Sequence, residues 1–299
     1  MSELTIKVYS GPQHFYDELR PQLEEHELEN CQVIFKPKIW ARDGHEGGYY
    51  AAVLDVEKLV YAACWAPGNH LWLSWSPEDG SEAEAQELLA KHLASVEIVV
   101  KGVRGFQGCE PGANTFTKAY EAASNKSCKV LRGMSTYKLT KVKYPEHIAD
   151  LKANGLLRQA TLNDDMDLFG SWYKGYNLQC LLPTPTDEEC KAAVTNLTKH
   201  NLLFVWHVDN KPVSMAFQLR PLKYGTSVAG VYTPPELRKR GYATAMMAVF
   251  GDHLLKAFQF VTLHADDDNP TSNHIYQQVG YELARRTNDY EVLHASDTV

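Results

Sequence analysis

No two of the six cysteines in this sequence stand in a CxxC spacing, and no histidine-rich cluster accompanies them. Structural zinc sites and thioredoxin-like redox motifs are therefore not indicated, and Cys31, Cys64, Cys109, Cys128, Cys180 and Cys190 read as reduced, packing thiols with no metal to hold. Long apolar runs are missing too. No stretch reaches the 18 or so continuous apolar residues of a membrane helix, and the opening Met1-Ser2-Glu3-Leu4-Thr5-Ile6-Lys7 places charges where a secretory signal needs an apolar core. A cytoplasmic chain with no membrane partner is the expectation. A basic domain is also lacking: 30 Lys and Arg against 37 Asp and Glu leave a net charge of -7, spread over both halves. That excludes the electrostatic footprint of a general nucleic-acid binder.

What is present is ordinary for a folded chain, with 44% hydrophobic and 22% charged residues, enough of each for a core and a solvated surface. At 299 residues it exceeds the usual single-domain size of roughly 100 to 200 residues, so two domains are expected. Strand patterning stops near Tyr144-Pro145-Glu146, which places the boundary between residues 1–143 and 144–299.

Alternation over Thr5 to Tyr9 predicts a strand, and Phe15, Leu19, Leu23 and Leu28 follow at helical spacing. Tyr49 to Leu54 and Leu59 to Trp65 flank a polar turn and predict a hairpin, with a further strand at Leu71 to Trp75. Ser81, ahead of an acidic first turn, predicts a capped helix to about Ala94. Val96 to Val100 reads as a strand, Asn114 to Ala123 as a helix and Lys129 to Leu139 as a strand. The second half repeats this order. It has a strand at Leu157 to Thr161, a helix at Asp164 to Lys174 after an acidic cap and a helix at Asp187 to His200. A hairpin follows over Leu202 to Val208 and Pro212 to Leu219, turning at Asp209-Asn210-Lys211. Strand Ser227 to Tyr232, helix Gly241 to Phe258, strand Phe260 to Ala265 and helix Ser272 to Val279 complete it.

The most informative segment joins strand to helix: Val231-Tyr232-Thr233-Pro234-Pro235-Glu236-Leu237-Arg238-Lys239-Arg240-Gly241-Tyr242-Ala243-Thr244. Gly241 and Ala243 permit close backbone approach, and the free N–H groups of a helix start, beside Arg238 and Arg240, suit a diphosphate. The same three cations also fit a solvated basic turn, with Gly241 a flexible joint; spacing alone does not decide between the two.

The run Arg-x-x-Gly-x-Ala at Arg238, Gly241 and Ala243 resembles the acyl-CoA pyrophosphate loop of the GNAT superfamily of N-acetyltransferases. The segment Asp266-Asp267-Asp268-Asn269-Pro270-Thr271-Ser272-Asn273, with Tyr276 three residues later, is similar to the second motif of a bacterial-type subgroup and stands at the right order and distance. The resemblance covers about Leu157 to Tyr281. It implies an α/β fold of two GNAT-like units in tandem, each a mixed, mostly antiparallel sheet flanked by helices. The C-terminal sheet would be splayed between its fourth and fifth strands to admit acyl-CoA. By that resemblance, acetyl-CoA is the acyl donor and contacts Val231, Tyr232, Thr233, Arg238, Lys239, Arg240, Gly241, Tyr242, Ala243, Thr244, Asn269, Ser272, Asn273 and Tyr276. Backbone groups of Val231 and Thr233 would take the pantetheine amides, as an added strand does at a sheet edge. A backbone N–H near Val231 or Tyr232 would hold the oxyanion.

Acyl transfer to an amine also needs a proton for the departing thiolate, and the resemblance gives Tyr276 that role. The resemblance implies a carboxylate base on the fourth strand, but Thr226-Ser227-Val228-Ala229-Gly230 has none, which leaves His264, His207, Asp266, water or no dedicated base. Trp172, Tyr173, Phe217 and Tyr290 could line an acceptor pocket or pack a core. Ser272 could equally be a helix cap and no more.

In the first half the corresponding strand-to-helix junction is Pro77-Glu78-Asp79-Gly80-Ser81-Glu82-Ala83-Glu84. It sets carboxylates where a diphosphate needs cations, so this unit reads as degenerate, completing the acceptor pocket, supporting the fold or drawing in a cationic amine. The expected activity is transfer of acetyl to a primary amine of a small molecule. Peptide or protein acceptors, or a non-catalytic acyl-CoA sensor, are the alternatives, and the oligomeric state is left open.

Overall fold

The computed structural model describes residues 3–180, 182 and 184–293; Met1 and Ser2 of the opening segment lie outside it. The chain divides into two compact units, one made of residues up to Ser135 together with those from Arg285 onward, the other of Thr136–Ala284.

The first unit runs β1 (Leu4–Val8), α1 (Pro12–Leu23), α2 (Cys31–Arg42), β2 (Tyr49–Asp55), β3 (Lys58–Trp65), β4 (Leu71–Leu73), α3 (Ala83–Ser95), α4 (Glu97–Gly102), β5 (Gly105–Cys109), α5 (Gly112–Ser124) and β6 (Ser127–Leu139). The second runs α6 (Ala149–Asn154), β7 (Gly155–Gln159), α7 (Met166–Gln179), α8 (Asp187–Lys199), β8 (Leu203–Val208), β9 (Lys211–Leu219), β10 (Gly225–Tyr232), α9 (Tyr242–Leu255), β11 (Phe260–Asp266) and α10 (Pro270–Gln278), and β12 (Glu282–Leu293) ends the order along the chain while lying from Arg285 onward in the first unit. Apart from α4 and α6 the two orders coincide, so the repeat is structural. In each unit three antiparallel pairings are followed by a parallel one: β4 with β5, and β10 with β11.

The strand order in the first unit is β1-β2-β3-β4-β5, then the Arg285–Leu293 part of β12, then the first part of β6. β12 pairs antiparallel with β5 from Thr287↔Cys109 to Glu291↔Gly105. The second unit's order is the end of β6, then β11-β10-β9-β8-β7. The boundary expected at 143/144 therefore falls instead at Ser135/Thr136, and the C-terminal strand belongs with the N-terminal unit. Burial explains both. Tyr137 and Leu139 are part of the second core, whereas Tyr290 and Val292 are part of the first.

Local signals account for most elements. The β8–β9 turn is the two residues Asp209 and Asn210, both left-handed, as a tight hairpin with the sheet's twist requires. Thr186 and Glu189 form a reciprocal capping box on α8. Asp165, one residue past the expected cap, accepts from Leu168 N at the start of α7, because Asp164 is committed to Arg158. Ser81 does not cap α3; its N-cap is Glu82, without a side-chain bond. Val96 to Val100 is not a strand but lies largely in α4: a short apolar run fits either form, and Val99 packs into the first core from a helix.

Candidate active site

β10 and β11 pair in parallel at Gly225↔Phe260, Thr226↔Val261 and Ser227↔Thr262, and no further. Both strands run on, to Tyr232 and Asp266, so the sheet forks just past Ser227. A bulge sharpens the fork. The β10 register against β9 shifts between Ala229 and Tyr232, leaving Gly230 and Val231 without ladder partners. Gly230 has φ +62°, and a Cβ there would stand 2.0 Å from Phe217 Cε2, so the bulge depends on glycine.

On one side of this fork α9 begins. Gly241 (φ +79°) is its N-cap, and no side chain bonds its first N–H groups. The N–H groups of Tyr242, Ala243 and Thr244 stand in the first turn, where an α-helix supplies no acceptor of its own. Tyr242 and Ala243 are half-buried, Thr244 is buried, and Arg238, Lys239 and Arg240 are exposed. Arg238 turns back onto its own loop: Nε donates to Thr233 O at 2.9 Å, Nη2 to Gln179 Oε1 at 3.0 Å, and the guanidinium lies 5.7 Å from the Tyr232 ring centroid. Arg240 donates to Glu236 O at 3.4 Å. Lys239 and Gly241 are both left-handed, which winds the loop tightly enough to aim a helix start outward.

Two backbone carbonyls at the fork are already occupied. Tyr232 O accepts from Ser214 Oγ at 2.9 Å, which in turn accepts from Thr233 Oγ1 at 3.0 Å. Thr233 O accepts from Arg238. Val231, in the bulge, is the better placed of the expected backbone contacts.

The second motif closes the other side. Asn269 caps α10 by accepting from Ser272 N at 3.1 Å. Asn273 Nδ2 donates to Asp266 O at 2.8 Å and Asn269 O at 2.9 Å, tying the end of β11 to the helix, while its Oδ1 is buried without a partner among the described residues. Tyr276 is buried, with the Tyr137 ring at 6.2 Å and the Tyr281 ring at 5.9 Å. Burial pushes its phenol up to about 12, against a hydrogen bond from Ser272 that pulls it down. Facing it are Cys180 and the Tyr176 phenol of α7, whose own acidity is suppressed by burial and which bonds to the Gly230 backbone. Neither Tyr176 nor Gly230 is flagged by the sequence, since nothing in a lone tyrosine or a strand glycine shows that they meet.

The remaining candidates separate. His264 lies on β11 with Nδ1 2.9 Å from Thr136 Oγ1, and burial, with Arg220 nearby, pushes its pKa down to about 3. Asp266 uses Oδ1 to accept from Asp268 N at 2.9 Å. His207 is on β8, with β9 between it and the fork; its Nε2 is 3.2 Å from Arg158 Nη2, and burial followed by Arg158 lowers its pKa. Trp172 lies 6.5 Å from Tyr232, and Tyr173 lies 5.8 Å from Phe217, both in the α7 face of the second unit. Tyr290 does not join them: it stacks on Phe106 at 4.9 Å in the core of the first unit and hydrogen-bonds Asn114 there, because β12 pairs with β5. No group of metal ligands occurs among the described residues.

The corresponding junction of the first unit differs. β4 is three residues long, and the turn after it carries Glu78, Asp79 and Glu82. Glu78 is paired with Arg285 at 2.5 Å, and burial pushes the Glu82 carboxyl up to about 7.

Residues 203–290 match the family model described as FR47-like protein. An acetyltransferase of the GNAT family from Colwellia psychrerythraea is similar over 97% of this chain and 100% of its own, at 15% identity and a TM-score of 0.60. A GCN5-related N-acetyltransferase from Sphaerobacter thermophilus is similar over 96% and 94%, at 13% identity and a TM-score of 0.61. A tandem GNAT protein from the clavulanic acid biosynthesis pathway is similar over 96% and 98%, at 12% identity and a TM-score of 0.51. No curated protein matches the sequence. The fold is thus the tandem GNAT fold, a mixed and mostly antiparallel sheet flanked by helices in each unit.

Proposed function

We propose that the chain is an acyl-CoA-dependent N-acyltransferase that works in its second unit, transferring acetyl from acetyl-CoA to a primary amine of a small molecule. The observation that carries this reading is the fork between β10 and β11, flanked by the uncapped start of α9 on one side and the buried Tyr276 phenol on the other. A diphosphate suits the α9 start, where the N–H groups of Tyr242, Ala243 and Thr244, the helix dipole and the cations Lys239 and Arg240 favour an anion. Arg238 supports that turn through Thr233 and Gln179. Val231 and the Gly230 carbonyl, outside the ladder, offer backbone groups to an extended pantetheine arm, the Gly230 N–H being taken by Tyr176. The Asn273 carbonyl oxygen is a further acceptor left over at the second motif.

In the reaction the amine nitrogen bonds to the thioester carbonyl carbon, the carbon–sulfur bond breaks with its electron pair on sulfur, and the amine loses a proton. Tyr276 supplies a proton to the sulfur. Its burial keeps the phenol protonated across the neutral range, which a donor to a leaving thiolate needs. A bulge N–H at Val231 stabilises the oxygen that gains charge. The first unit contributes no second diphosphate site, since carboxylates occupy its strand-to-helix turn.

The test is release of free thiol from acetyl-CoA by the purified chain over a panel of small primary amines, with product mass confirming amide formation. Amine-dependent release supports the reading. Tight binding of acetyl-CoA with no release for any amine would leave an acyl-CoA-binding scaffold in its place.

A further inference from the structure

The face of the second sheet that carries Phe217, turned toward α7, holds a polar group that acetyl-CoA recognition does not use. Ser227 on β10 is fully buried, and its Oγ has no partner among the described residues. Thr262 is its register neighbour on β11, and His264, two residues on, shares that face. Thr136 of β6 holds the His264 ring at 2.9 Å. Arg220 leaves the end of β9 in a left-handed conformation (φ +49°), with its Nε buried and without an acceptor among the described residues, and its charge reaches His264. At the rim, Lys138 of β6 lies over the Phe260 ring at 5.1 Å. A guanidinium N–H and a serine hydroxyl, both buried and unbonded, beside a neutral imidazole and a nearby ammonium, together call for an anion.

We propose that the acceptor is an amine that carries a carboxylate, an amino acid, with the carboxylate held by Arg220 and Ser227. This rests on the acyltransferase reading above and specifies its substrate. The position fits that chemistry. Ser227 is in the last residue pair between β10 and β11, at the closed end of the fork, and its partner on β9 is Leu219, the residue before Arg220, while the α9 start and Val231 lie toward the open end. A carboxylate anchored at the closed end directs the amine along β11, past His264, toward a thioester that enters from the other side. Tyr173 and Phe217, in contact on the same face, supply an apolar wall for the carbon skeleton between the two ends.

The experiment compares each of several amino acids with its own amide as acceptor, in the full chain and in Arg220→Gln and Ser227→Ala, with melting midpoints confirming that each variant is folded. For the unaltered chain, kcat/KM for the amino acid should exceed that for the amide by at least about tenfold, the weight of one charge-assisted hydrogen bond. Arg220→Gln should bring that ratio close to one, and Ser227→Ala should lower it in part, with KM for acetyl-CoA unmoved in both. Amides accepted as well as amino acids, or a ratio unchanged in both variants, overturns the assignment while leaving the acyltransferase reading intact. Absence of thiol release with every acceptor removes both together. Should Arg220→Gln fail to fold, the Ser227→Ala ratio alone decides.

Discussion

Arg238 donates from Nε to the carbonyl of Thr233 at 2.9 Å, so the cation of the loop before α9 is also the clasp that holds that loop against the end of β10. Replacing Arg238 by Ala removes the clasp and a cation together. The Michaelis constant for acetyl-CoA should rise by about 10- to 100-fold, the range of a charge-assisted contact of about 1.5 to 3 kcal/mol. Gln179, which receives the other arm of the guanidinium at 3.0 Å, offers a graded check. Gln179→Leu keeps the charge and loosens the clasp, so its constant should rise less. An unchanged constant in Arg238→Ala would mean that this turn is a solvated loop only.

Gly241 is a separate matter, because its constraint is conformational. At φ +79°, with Leu151 Cδ1 3.1 Å from where a Cβ would stand, Gly241→Val combines a left-handed β-branched residue with a crowded neighbour. The first turn of α9 should re-form with different dihedrals and lose its aim. We expect weaker acetyl-CoA binding by calorimetry with a melting midpoint lowered by only a few degrees. Binding equal to that of the unaltered chain would show that the helix start is not the anion site.

Much of this is legible in the sequence, because its causes are local. Asp209-Asn210 specifies its hairpin through two residues that tolerate left-handed backbone, and the Arg238 to Ala243 turn sits at the strand-to-helix junction where the sequence puts it. Gly230 is not legible as a site residue, because what requires glycine there is the Phe217 ring on another strand, which leaves no room for a Cβ. α2 is not legible in the sequence, because Pro37 interrupts its apolar spacing. β12 is not legible either, because a polar run such as Glu282 to Asn288 becomes a strand only through pairing with distant β5. Tyr290 shows the cost: with that pairing unknown, nothing in the chain assigns its ring to the first core.

That pairing carries a prediction of its own. Cutting the chain at the sequence-based boundary of 143/144 strips the first unit of Arg285–Leu293 and the second of Tyr137 and Leu139. Asp289, almost wholly buried, pairs with His70 at 2.8 Å and Arg132 at 3.1 Å, so its loss leaves both of them without their anion. Neither half should give a cooperative unfolding transition, and a chain ending at Ala284 should lose the transition of its first unit. A truncated chain that melts like the whole would show that β12 is dispensable there.

Tyr276→Phe is the sharpest test of the chemistry, because it keeps the ring against Tyr137 and Tyr281 and removes only the hydroxyl. The phenol hydrogen-bonds Ser272, so the stability cost should stay at about 1 kcal/mol. If the hydroxyl protonates the thiolate, kcat should fall by roughly 10²- to 10⁴-fold while the constant for acetyl-CoA hardly moves. The pH dependence follows from burial. The folded phenol titrates at about 12, above the value of about 10 expected for an unfolded chain. Its protonated form therefore persists through pH 6 to 10, and its contribution to folding is lost only as pH rises from about 10 through 12. No alkaline fall in kcat below pH 10 should trace to this residue, and the Phe variant should show a reduced rate of unchanged pH shape over that interval. A variant whose turnover at saturating substrates stays within a few-fold of the unaltered chain would leave solvent as the donor, with Tyr276 a packing ring between Tyr137 and Tyr281.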